Sequence, residues 1–313
     1  MTAGVAGLGL MGTSIVAALL AAGHRVIGLT RNLATRSNCP EMVLARLIEM
    51  KEEGILRSEP SVLIGRLRIT DQYAELAECR VVIESIIEDL PTKKEALARI
   101  EEIVPPDAMI GSNTSAIPVS ILQSGARHPE RVLGIHWAEP AHVTRFMEII
   151  CGDQTSLDIA ERAVQLAHAW GKEPTLVRRD IRGFIANRLM YAMIREAFYL
   201  VENGYATPAD IDRSARNDMG CWLTLAGPFR YMDLTGIPAY RRVMHDLFPE
   251  LCHDAKVPKL MQEVVESGAL GVSNGRGFYS YTPEQAKHWE ETFLKFSYDI
   301  RALAQKYPED AGD

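Results

Sequence analysis

The feature that most constrains this chain is a glycine motif at its beginning. Residues 7–12 have the sequence G-L-G-L-M-G and lie between a short apolar segment and a longer apolar stretch over Thr13–Ala22. This pattern predicts a buried strand, a tight turn and a helix that ends before Gly23, followed by a second strand over Arg25–Leu29. The two strands should be parallel, with a right-handed crossover. A signal peptide or membrane span is not expected, because no Lys or Arg precedes the second strand and glycines interrupt the apolar segment.

A glycine loop between a strand and a helix is typical of dinucleotide binding. The first glycine permits the tight turn, the second lets the backbone approach a pyrophosphate, and the third lets helix and strand pack closely. The helix N-terminus adds free N–H groups and a positive dipole end. The sequence therefore predicts that Gly7, Leu8, Gly9, Met11 and Gly12 bind a dinucleotide cofactor.

The end of the second strand departs from the usual pattern of such loops. An acidic residue normally stands there and accepts hydrogen bonds from the ribose hydroxyls of NAD. Here Thr30 occupies the position, Arg31 follows, and no Asp or Glu occurs between Gly12 and Glu41. Arg31 could pair with the 2′-phosphate of NADP, or it could stack on adenine while Thr30 bonds the ribose of NAD. The expected cofactor is therefore NAD or NADP, with NADP tolerated better than where an acid is present.

The alternation of apolar strands and helices continues as far as Arg179 and then stops. We predict a Rossmann-type doubly wound α/β sheet over residues 1–179 and an all-helical domain over 180–313, with a polar tail from Tyr307. The segments Glu41–Glu53 and Ser61–Leu76 are expected to form a charged, partly helical excursion. Further strands are predicted at Val81–Ile83, Met109–Ile110, Arg131–His136, Phe146–Ile150 and Pro174–Val177. Further helices are predicted at Thr92–Ile103, Asp158–Gly171, Ile185–Val201, Pro208–Ala215, Ile237–Leu247, Pro258–Glu266 and Pro283–Lys306.

Composition limits the classes of function. The net charge of −7 argues against a nucleic-acid-binding protein, which would concentrate basic residues. The five cysteines are scattered and odd in number, so they favour a reducing compartment such as the cytoplasm. No group of His, Cys, Asp and Glu has the spacing of a metal site, and we expect no metal.

Two polar residues on neighbouring predicted strands suggest acid–base chemistry. His136 ends one strand, and Glu148 lies inside the next. A carboxylate on one ring nitrogen fixes the tautomer of a histidine and stabilises its imidazolium form, which frees the other nitrogen to take a proton. A buried His–Glu pair is more often structural than catalytic, so the pair alone does not decide the function.

Several ordered motifs, taken together, resemble the L-3-hydroxyacyl-CoA dehydrogenase family over nearly the whole chain. The resemblance includes the opening loop, the S-N-T-S sequence at Ser112–Ser115, and the histidine and carboxylate of Gly134–His136 and Phe146–Ile150. It also includes Val82–Glu84 with Glu88 and Lys93, the G-F-x-x-N-R sequence at Gly183–Arg188, Gly227–Phe229 with Asp233 and Gly236, and Gly275–Tyr279.

The resemblance implies a role for each of these site residues. His136 would be the general base and Glu148 would orient it, while Ser115 and Asn187 would hydrogen-bond the substrate oxygen. The nicotinamide-ribose side of the cofactor site would be lined by Glu88, Lys93 and Asn113. The sequence departs from the family at Thr30 and at Glu139, where an asparagine is usual, and Glu139 is expected to contact substrate.

The expected reaction is hydride transfer between a 3-hydroxyacyl substrate, most simply a 3-hydroxyacyl-CoA of fatty acid metabolism, and a nicotinamide cofactor. A free hydroxy acid, as in the related L-gulonate and carnitine dehydrogenases, is the nearest alternative. A non-catalytic redox sensor is a more distant one. The resemblance also implies a homodimer. Five basic residues between the second strand and Val81 could meet CoA phosphates, although ordinary surface charge explains them equally well: Arg46, Lys51, Arg57, Arg66 and Arg68.

Overall fold

The computed structural model describes residues 1–308, so part of the predicted polar tail, residues 309–313, lies outside the described residues. The chain divides into two compact units, residues 1–187 and 188–313. The predicted boundary at Arg179 lies a few residues before this division.

The first unit is built on one eight-stranded sheet, which confirms the predicted Rossmann-type fold. The order across the sheet is β3-β2-β1-β4-β5-β6-β7-β8, and every neighbouring pair is parallel except β6 and β7. The strands are β1 Thr2–Ala6, β2 Arg25–Leu29, β3 Leu67–Thr70, β4 Val81–Glu84, β5 Met109–Ser112, β6 Val132–Trp137, β7 Phe146–Cys151 and β8 Glu173–Val177.

Strand β3 corrects the sequence analysis, which expected only a partly helical excursion in this region. Leu67–Thr70 pairs in parallel with β2 and forms the edge of the sheet. Its alternation is visible in the burial, because Leu67 and Ile69 are half-buried and Arg68 is exposed. Four residues with a charge among them carry too little periodicity to distinguish a strand from a helix.

Helices cover both faces of this sheet. Helix α1 is apolar on every side, and its residues from Gly12 to Leu20 are all buried, which is expected of a helix inside the core. The helices of the first unit are α1 Leu10–Ala21, α2 Cys39–Glu52, α3 Pro60–Ile64, α4 Leu90–Ile103, α5 Val119–Gln123 and α6 Leu157–Ala169.

The second unit is helical in its described part, as predicted, and it includes two helices, α9 and α10, that the sequence analysis did not predict. Its helices begin with α7 Ala186–Glu202, which crosses the division between the units, and continue with α8 Pro208–Asn217, α9 Met219–Leu223, α10 Gly227–Thr235, α11 Ile237–Leu247, α12 Lys259–Glu266 and α13 Pro283–Ala304. Within residues 1–308 no helix is long and apolar enough to cross a membrane.

Candidate active site

The glycine loop has the geometry that a bound pyrophosphate requires. Gly7 has a φ of +100°, and a Cβ atom there would lie 2.4 Å from the carbonyl oxygen of Ser85. A Cβ at Gly12 would lie 1.8 Å from the carbonyl oxygen of Gly7, so only glycine lets α1 pack this closely. A Cβ at Gly9 would meet nothing within 4 Å, which leaves the middle of the loop open to a ligand.

A cleft of about 1040 Å³ lies over this loop at the carboxyl ends of the strands, at the upper limit of the roughly 300–1,000 Å³ usual for ligand sites. Two residues predicted to bind cofactor, Gly12 and Lys93, do not line it. The lining does include nine residues of the predicted site, namely Gly7, Leu8, Gly9, Met11, Thr30, Arg31, Glu88, Asn113 and Ser115. The residues present therefore fit a dinucleotide.

The wall of the cleft beyond β2 is a compact turn. Thr30 is buried, and its N–H donates to the carbonyl oxygen of Thr70 at 2.9 Å. The side-chain oxygen of Asn32 accepts from the N–H groups of Ala34 at 2.9 Å and Thr35 at 3.4 Å. This local bonding fixes the turn that carries Arg31.

Lys93 lies beneath the cleft and holds two carboxylates. Its ammonium is 2.7 Å from Glu84 and 3.2 Å from Glu88, and its side chain is 1% exposed. Glu84 also accepts from the Ser112 hydroxyl at 2.5 Å. Glu84 and Ser112 lie inside motifs that resemble the family, but no site role was predicted for either of them; a further signal for Glu84 is that it is an acidic residue at the end of an otherwise apolar strand.

Glu88 ties the S-N-T-S segment to this buried pair. One of its carboxylate oxygens accepts from the Thr114 hydroxyl and from the backbone N–H of Ser115 at 2.9 Å. Burial would raise the pKa of Glu88, but the Thr114 hydrogen bond, the charge of Lys93 and the Ser115 N–H lower it below its ordinary value. Glu88 therefore stays ionised near neutral pH and fixes the backbone at Ser115.

The predicted His–Glu contact is present. His136 and Glu148 face each other across the antiparallel β6–β7 pair, and directly paired residues project on the same face of a sheet. Nδ1 of His136 lies 2.8 Å from Oε2 of Glu148. Both residues are buried, and the rings of Phe146 and Phe184 pack against the imidazole with centroids 5.5 and 5.7 Å away.

The second oxygen of Glu148 is held by the backbone that opens α7. Oε1 accepts from the N–H of Ile185 at 2.9 Å and of Ala186 at 3.0 Å. Two consecutive left-handed residues, Gly183 with φ 80° and Phe184 with φ 50°, turn the chain so that these N–H groups point at the carboxylate. A left-handed Phe is strained, and it is retained here where it is completely buried against Val119, Ile150 and Val177.

These contacts decide the charge of Glu148. Burial would raise its pKa, but the hydrogen bonds from His136, Ala186 and Ile185 together lower it below its ordinary value. An ionised carboxylate only accepts hydrogen bonds, so Nδ1 of His136 carries the proton and donates it. Nε2 is then the nitrogen that can accept a substrate proton.

Ser115 and Asn187 are also brought together. The side-chain amide of Asn187 donates to the backbone carbonyl of Ser115 at 2.8 Å. Asn187 directly follows Ala186, so the Ser115 backbone and the His–Glu pair are connected through the start of α7. Asn113 bonds the Trp137 N–H at 2.9 Å and the Ser85 hydroxyl at 3.2 Å, which ties β5 to the end of β6.

Glu139 lies on the loop that follows His136, near a group of polar side chains. His142 bonds the buried Ser14 hydroxyl at 2.7 Å and approaches Glu49 on α2 at 3.3 Å. Partial burial raises the pKa of Glu139 above its ordinary value, and the charges of Arg46 and His142 oppose that rise without cancelling it.

The five basic residues considered for CoA phosphates are largely engaged within the chain. Arg57 alone among the five has no side-chain partner within residues 1–308. The partners of the others are the Met42 carbonyl for Arg46 at 3.3 Å, the Arg57 carbonyl and Glu59 for Lys51 at 2.8 and 3.3 Å, the Gly23 carbonyl for Arg66 at 3.1 Å, and Glu75 for Arg68 at 2.7 Å. Within the described residues, these five side chains therefore do not form a cluster of unpaired positive charge.

Two family models match the chain. A model described as the NAD binding domain of 3-hydroxyacyl-CoA dehydrogenase matches residues 2–181, and a model of the C-terminal domain of the same enzyme matches residues 183–281. Fold, site and matches together define an oxidoreductase that acts on CH–OH groups. The chain belongs to the 3-hydroxyacyl-CoA dehydrogenase family, as the sequence motifs indicated.

Individual relatives divide between two kinds of substrate. The 5-formyl-3-hydroxy-2-methylpyridine 4-carboxylate 5-dehydrogenase of Mesorhizobium japonicum is 30% identical over 284 residues, 90% of this chain and 91% of that protein. The crystal structure of a 5-formyl-3-hydroxy-2-methylpyridine 4-carboxylic acid 5-dehydrogenase, described as an NAD⁺-dependent dismutase, is also similar. Its TM-score is 0.91 at 28% identity, and the match covers 98% of this chain and 99% of that one. The structure of (S)-3-hydroxybutyryl-CoA dehydrogenase PaaH1 from Ralstonia eutropha has a TM-score of 0.74 at 30% identity, covering 90% of this chain and 99% of that one.

Proposed function

We propose that this chain oxidises a hydroxyl-bearing carbon to a carbonyl, with His136 as general base and Glu148 as its orienting partner. The observation that carries the proposal is the 2.8 Å contact between Nδ1 of His136 and Oε2 of Glu148, together with the two backbone N–H groups on the other oxygen. Both oxygens of Glu148 and Nδ1 of His136 thus have a hydrogen-bond partner, which leaves Nε2 as the ring nitrogen available to a substrate.

Each residue around the pair has a separate role in the proposed reaction. Nε2 of His136 takes the hydroxyl proton, and Glu148 stabilises the imidazolium that forms. Bound NAD supplies the hydride acceptor. Ser115 and Asn187 donate to the substrate oxygen and stabilise charge that develops on it. Glu88, fixed by Lys93 beneath it, positions Ser115 and the nicotinamide-ribose side of the cleft.

The chemistry is tested by changing the base while leaving the cleft intact. We expect His136→Gln and Glu148→Gln each to lower kcat by roughly 10²–10⁴, the usual contribution of a positioned acid–base group, with little change in the Kd of NAD. His24→Gln is the control, because His24 bonds Trp170 at the amino edge of the sheet, away from the cleft. Wild-type kcat in either site variant would overturn the assignment.

The first substrate candidate is a 3-hydroxyacyl-CoA, which would place the enzyme in fatty acid metabolism. It is supported by the family and by relatives with that activity in their names. Glu139 fits a neutral thioester better than an anionic acid, because an ionised carboxylate beside the reaction centre repels a second one. It is also compatible with a cationic carnitine-like substrate.

The second candidate is a small substrate without CoA, such as a hydroxymethyl or formyl aromatic acid. It is favoured by the TM-score of 0.91 to the pyridine 5-dehydrogenase, and by the intramolecular partners of the basic residues that could otherwise bind CoA. A hydrated aldehyde carries the same CH–OH group as an alcohol, so His136 can act on it in the same way.

A substrate panel separates the candidates. It should compare kcat/KM for 3-hydroxybutyryl-CoA, free 3-hydroxybutyrate, L-gulonate, L-carnitine and 5-formyl-3-hydroxy-2-methylpyridine 4-carboxylate in the wild type and in Glu139→Asn. A preference for any free acid over the thioester would refute the CoA candidate. An unchanged ranking in the variant would show that Glu139 does not select substrate.

Two further proposals concern the cofactor and the assembly. NAD is the cofactor indicated by the matched NAD-binding model, and we propose that NADP is also accepted, because Thr30 replaces the acid that would repel its phosphate. A Kd for NAD more than about a hundredfold below that for NADP, roughly 2.7 kcal/mol, would contradict this.

We also propose that the enzyme works as a homodimer in the cytoplasm. The exposed apolar helices of the second unit support the dimer, and five free cysteines support a reducing compartment.

A further inference from the structure

Three arginines line the end of the cleft that lies beyond β2. Arg31 follows the strand, Arg36 ends the short turn after it, and Arg99 comes from α4. Arg31 and Arg36 have no ionic partner among residues 1–308. The guanidinium of Arg99 lies 3.8 Å from the centre of the Tyr73 ring and 4.0 Å from Glu95.

The turn between Arg31 and Arg36 is held by several hydrogen bonds among its own residues. Besides the two N–H groups held by the Asn32 side chain, the Thr35 hydroxyl donates to the Asn32 carbonyl at 3.1 Å, and the Arg36 N–H donates to the Leu33 carbonyl at 3.1 Å. The backbone that carries both guanidinium groups is therefore ordered before any ligand arrives, which lowers the entropy cost of binding.

The acidic residues on the described cleft lining do not pair with Arg31 or Arg36, although Glu95 lies within ion-pair distance of Arg99. Glu88 is bound to Thr114, Ser115 and Lys93, and Glu95 lies beside Arg99. Asp71, after β3, accepts from the Gln72 amide at 2.7 Å and is the one acidic side chain on the described lining that could take the place of the missing acid. Two arginines and a threonine thus stand where an NAD site carries a carboxylate.

We propose that Arg31 and Arg36 form a binding site for the 2′-phosphate of NADP, with Arg99 adding positive charge on the opposite wall and the adenine lying between. Guanidinium groups match phosphate oxygens in geometry and form charge-assisted, often bidentate, hydrogen bonds with them. The inference rests on the proposed binding of a dinucleotide in this cleft and deepens it, because it makes NADP a preferred ligand rather than a tolerated one.

The test isolates the phosphate from the rest of the cofactor. Calorimetric titration should give the Kd of adenosine 2′,5′-bisphosphate and of 5′-AMP for the wild type, Arg31→Ala, Arg36→Ala and the double variant. We expect the wild type to prefer the bisphosphate by about 10–100-fold, the contribution of one or two hydrogen bonds to a charged group. The double variant should lose at least nine-tenths of that preference and keep its affinity for 5′-AMP.

Arg25→Ala is the matched control, because Arg25 is an exposed arginine at the other end of β2. A wild-type preference below fivefold, or an equal loss of both ligands in the double variant, would overturn the site. Asp71→Asn tests the rival arrangement: weaker 5′-AMP binding in this variant, with no bisphosphate preference in the wild type, would assign the ribose contact to Asp71. If neither ligand binds at all, the proposed dinucleotide cleft fails as well, whereas good binding of 5′-AMP alone removes only this inference.

Discussion

The two units of this chain differ sharply in how they use their apolar residues. In residues 1–187 the sheet and its helices bury large aliphatic side chains completely, among them Ile15, Leu19, Leu47 and Ile83. In the described part of the second unit, Tyr298 alone is buried, and its aromatic residues lie largely in the open, with Phe229 79% exposed. The first unit has a core of its own, whereas residues 188–308 of the second unit form none.

Because so few of its apolar side chains are buried, the second unit needs contacts from outside itself for stability. A soluble protein rarely leaves a large contiguous apolar surface uncovered, and helices that expose one mark an association surface. Helix α13 is the clearest case, because Trp289, Phe293 and Phe296 follow one another at helical spacing with 53%, 57% and 58% exposure. A second copy of the chain, as in the proposed homodimer, would provide the missing contacts.

The largest expected effect comes from placing a charge on that surface. Phe293→Glu should raise the dimer dissociation constant by about 10³-fold, roughly 4 kcal/mol, because an unpaired carboxylate would be buried on association. Sedimentation over a range of concentrations measures the change. Lys295→Glu, which introduces a carboxylate about half a turn away and changes the net charge by two rather than one, is the control. A wild type that sediments as a monomer, or a Phe293→Glu variant that associates like the wild type, would contradict the comparison.

A matched pair of leucine truncations tests the comparison within each unit. Leu19→Ala should lower the free energy of unfolding by about 2–5 kcal/mol, because Leu19 is 0% exposed and its removal leaves a cavity. Leu234 is 68% exposed in the single chain, so its truncation should cost under about 0.5 kcal/mol wherever it stays exposed. Urea unfolding of the wild type and both variants at two protein concentrations measures these costs. A larger, concentration-dependent cost at Leu234 would place that residue under the partner.

The sequence predicted most of the first unit, because its strands are short apolar runs separated by turns and helices. It missed β3, since Leu67–Thr70 lies at the sheet edge, where one exposed face breaks the apolar run. It predicted the meeting of His136 and Glu148, because both lie on adjacent strands of one sheet. It did not predict the pairing of Lys93 with Glu84, because a lysine is almost never fully buried unless it is paired, and its partner lies in another element.

The support of Glu148 by backbone N–H groups was also beyond the sequence. Gly183 and Phe184 both adopt left-handed conformations, and that of Phe184 depends on the packing around its ring, which the local sequence does not reveal. Local patterns therefore located the reacting side chains, whereas the contacts that fix their charge and orientation arise only from tertiary structure.

Removing an N-cap side chain should cost the same stability in both units, in contrast to the truncation of an apolar side chain. Ser156 caps α6 in the first unit and Thr207 caps α8 in the second, each accepting from a backbone N–H at 3.3 Å. Ser156→Ala and Thr207→Ala should each cost about 1 kcal/mol, since a cap acts within one helical turn. Thermal unfolding of both variants checks this. A negligible cost at Thr207 alone would mean that the second unit unfolds before the first.

The smallest effect is expected at Glu139, one of two carboxylates of the first unit whose pKa values are displaced in opposite directions. The raised pKa of Glu139 means that folding favours its protonated form, so its stabilising contribution is present below the ordinary pKa of 4.5 and is lost as the pH rises through the folded value. Glu139→Gln should therefore match the wild type at pH 4 and be more stable at pH 7, by under about 0.5 kcal/mol because the carboxyl is only partly desolvated and solvent still screens its charge.

The lowered pKa of Glu148 has the opposite sign: its carboxylate stabilises the fold above its ordinary pKa, and that contribution is lost as the pH falls through the folded value. Glu148→Gln should consequently be less stable than the wild type at pH 7, with a deficit that shrinks toward pH 3. Urea unfolding across this range measures both variants, and a pH-dependence of the same sign in the two would show that desolvation, rather than the bonds from His136, Ile185 and Ala186, controls Glu148.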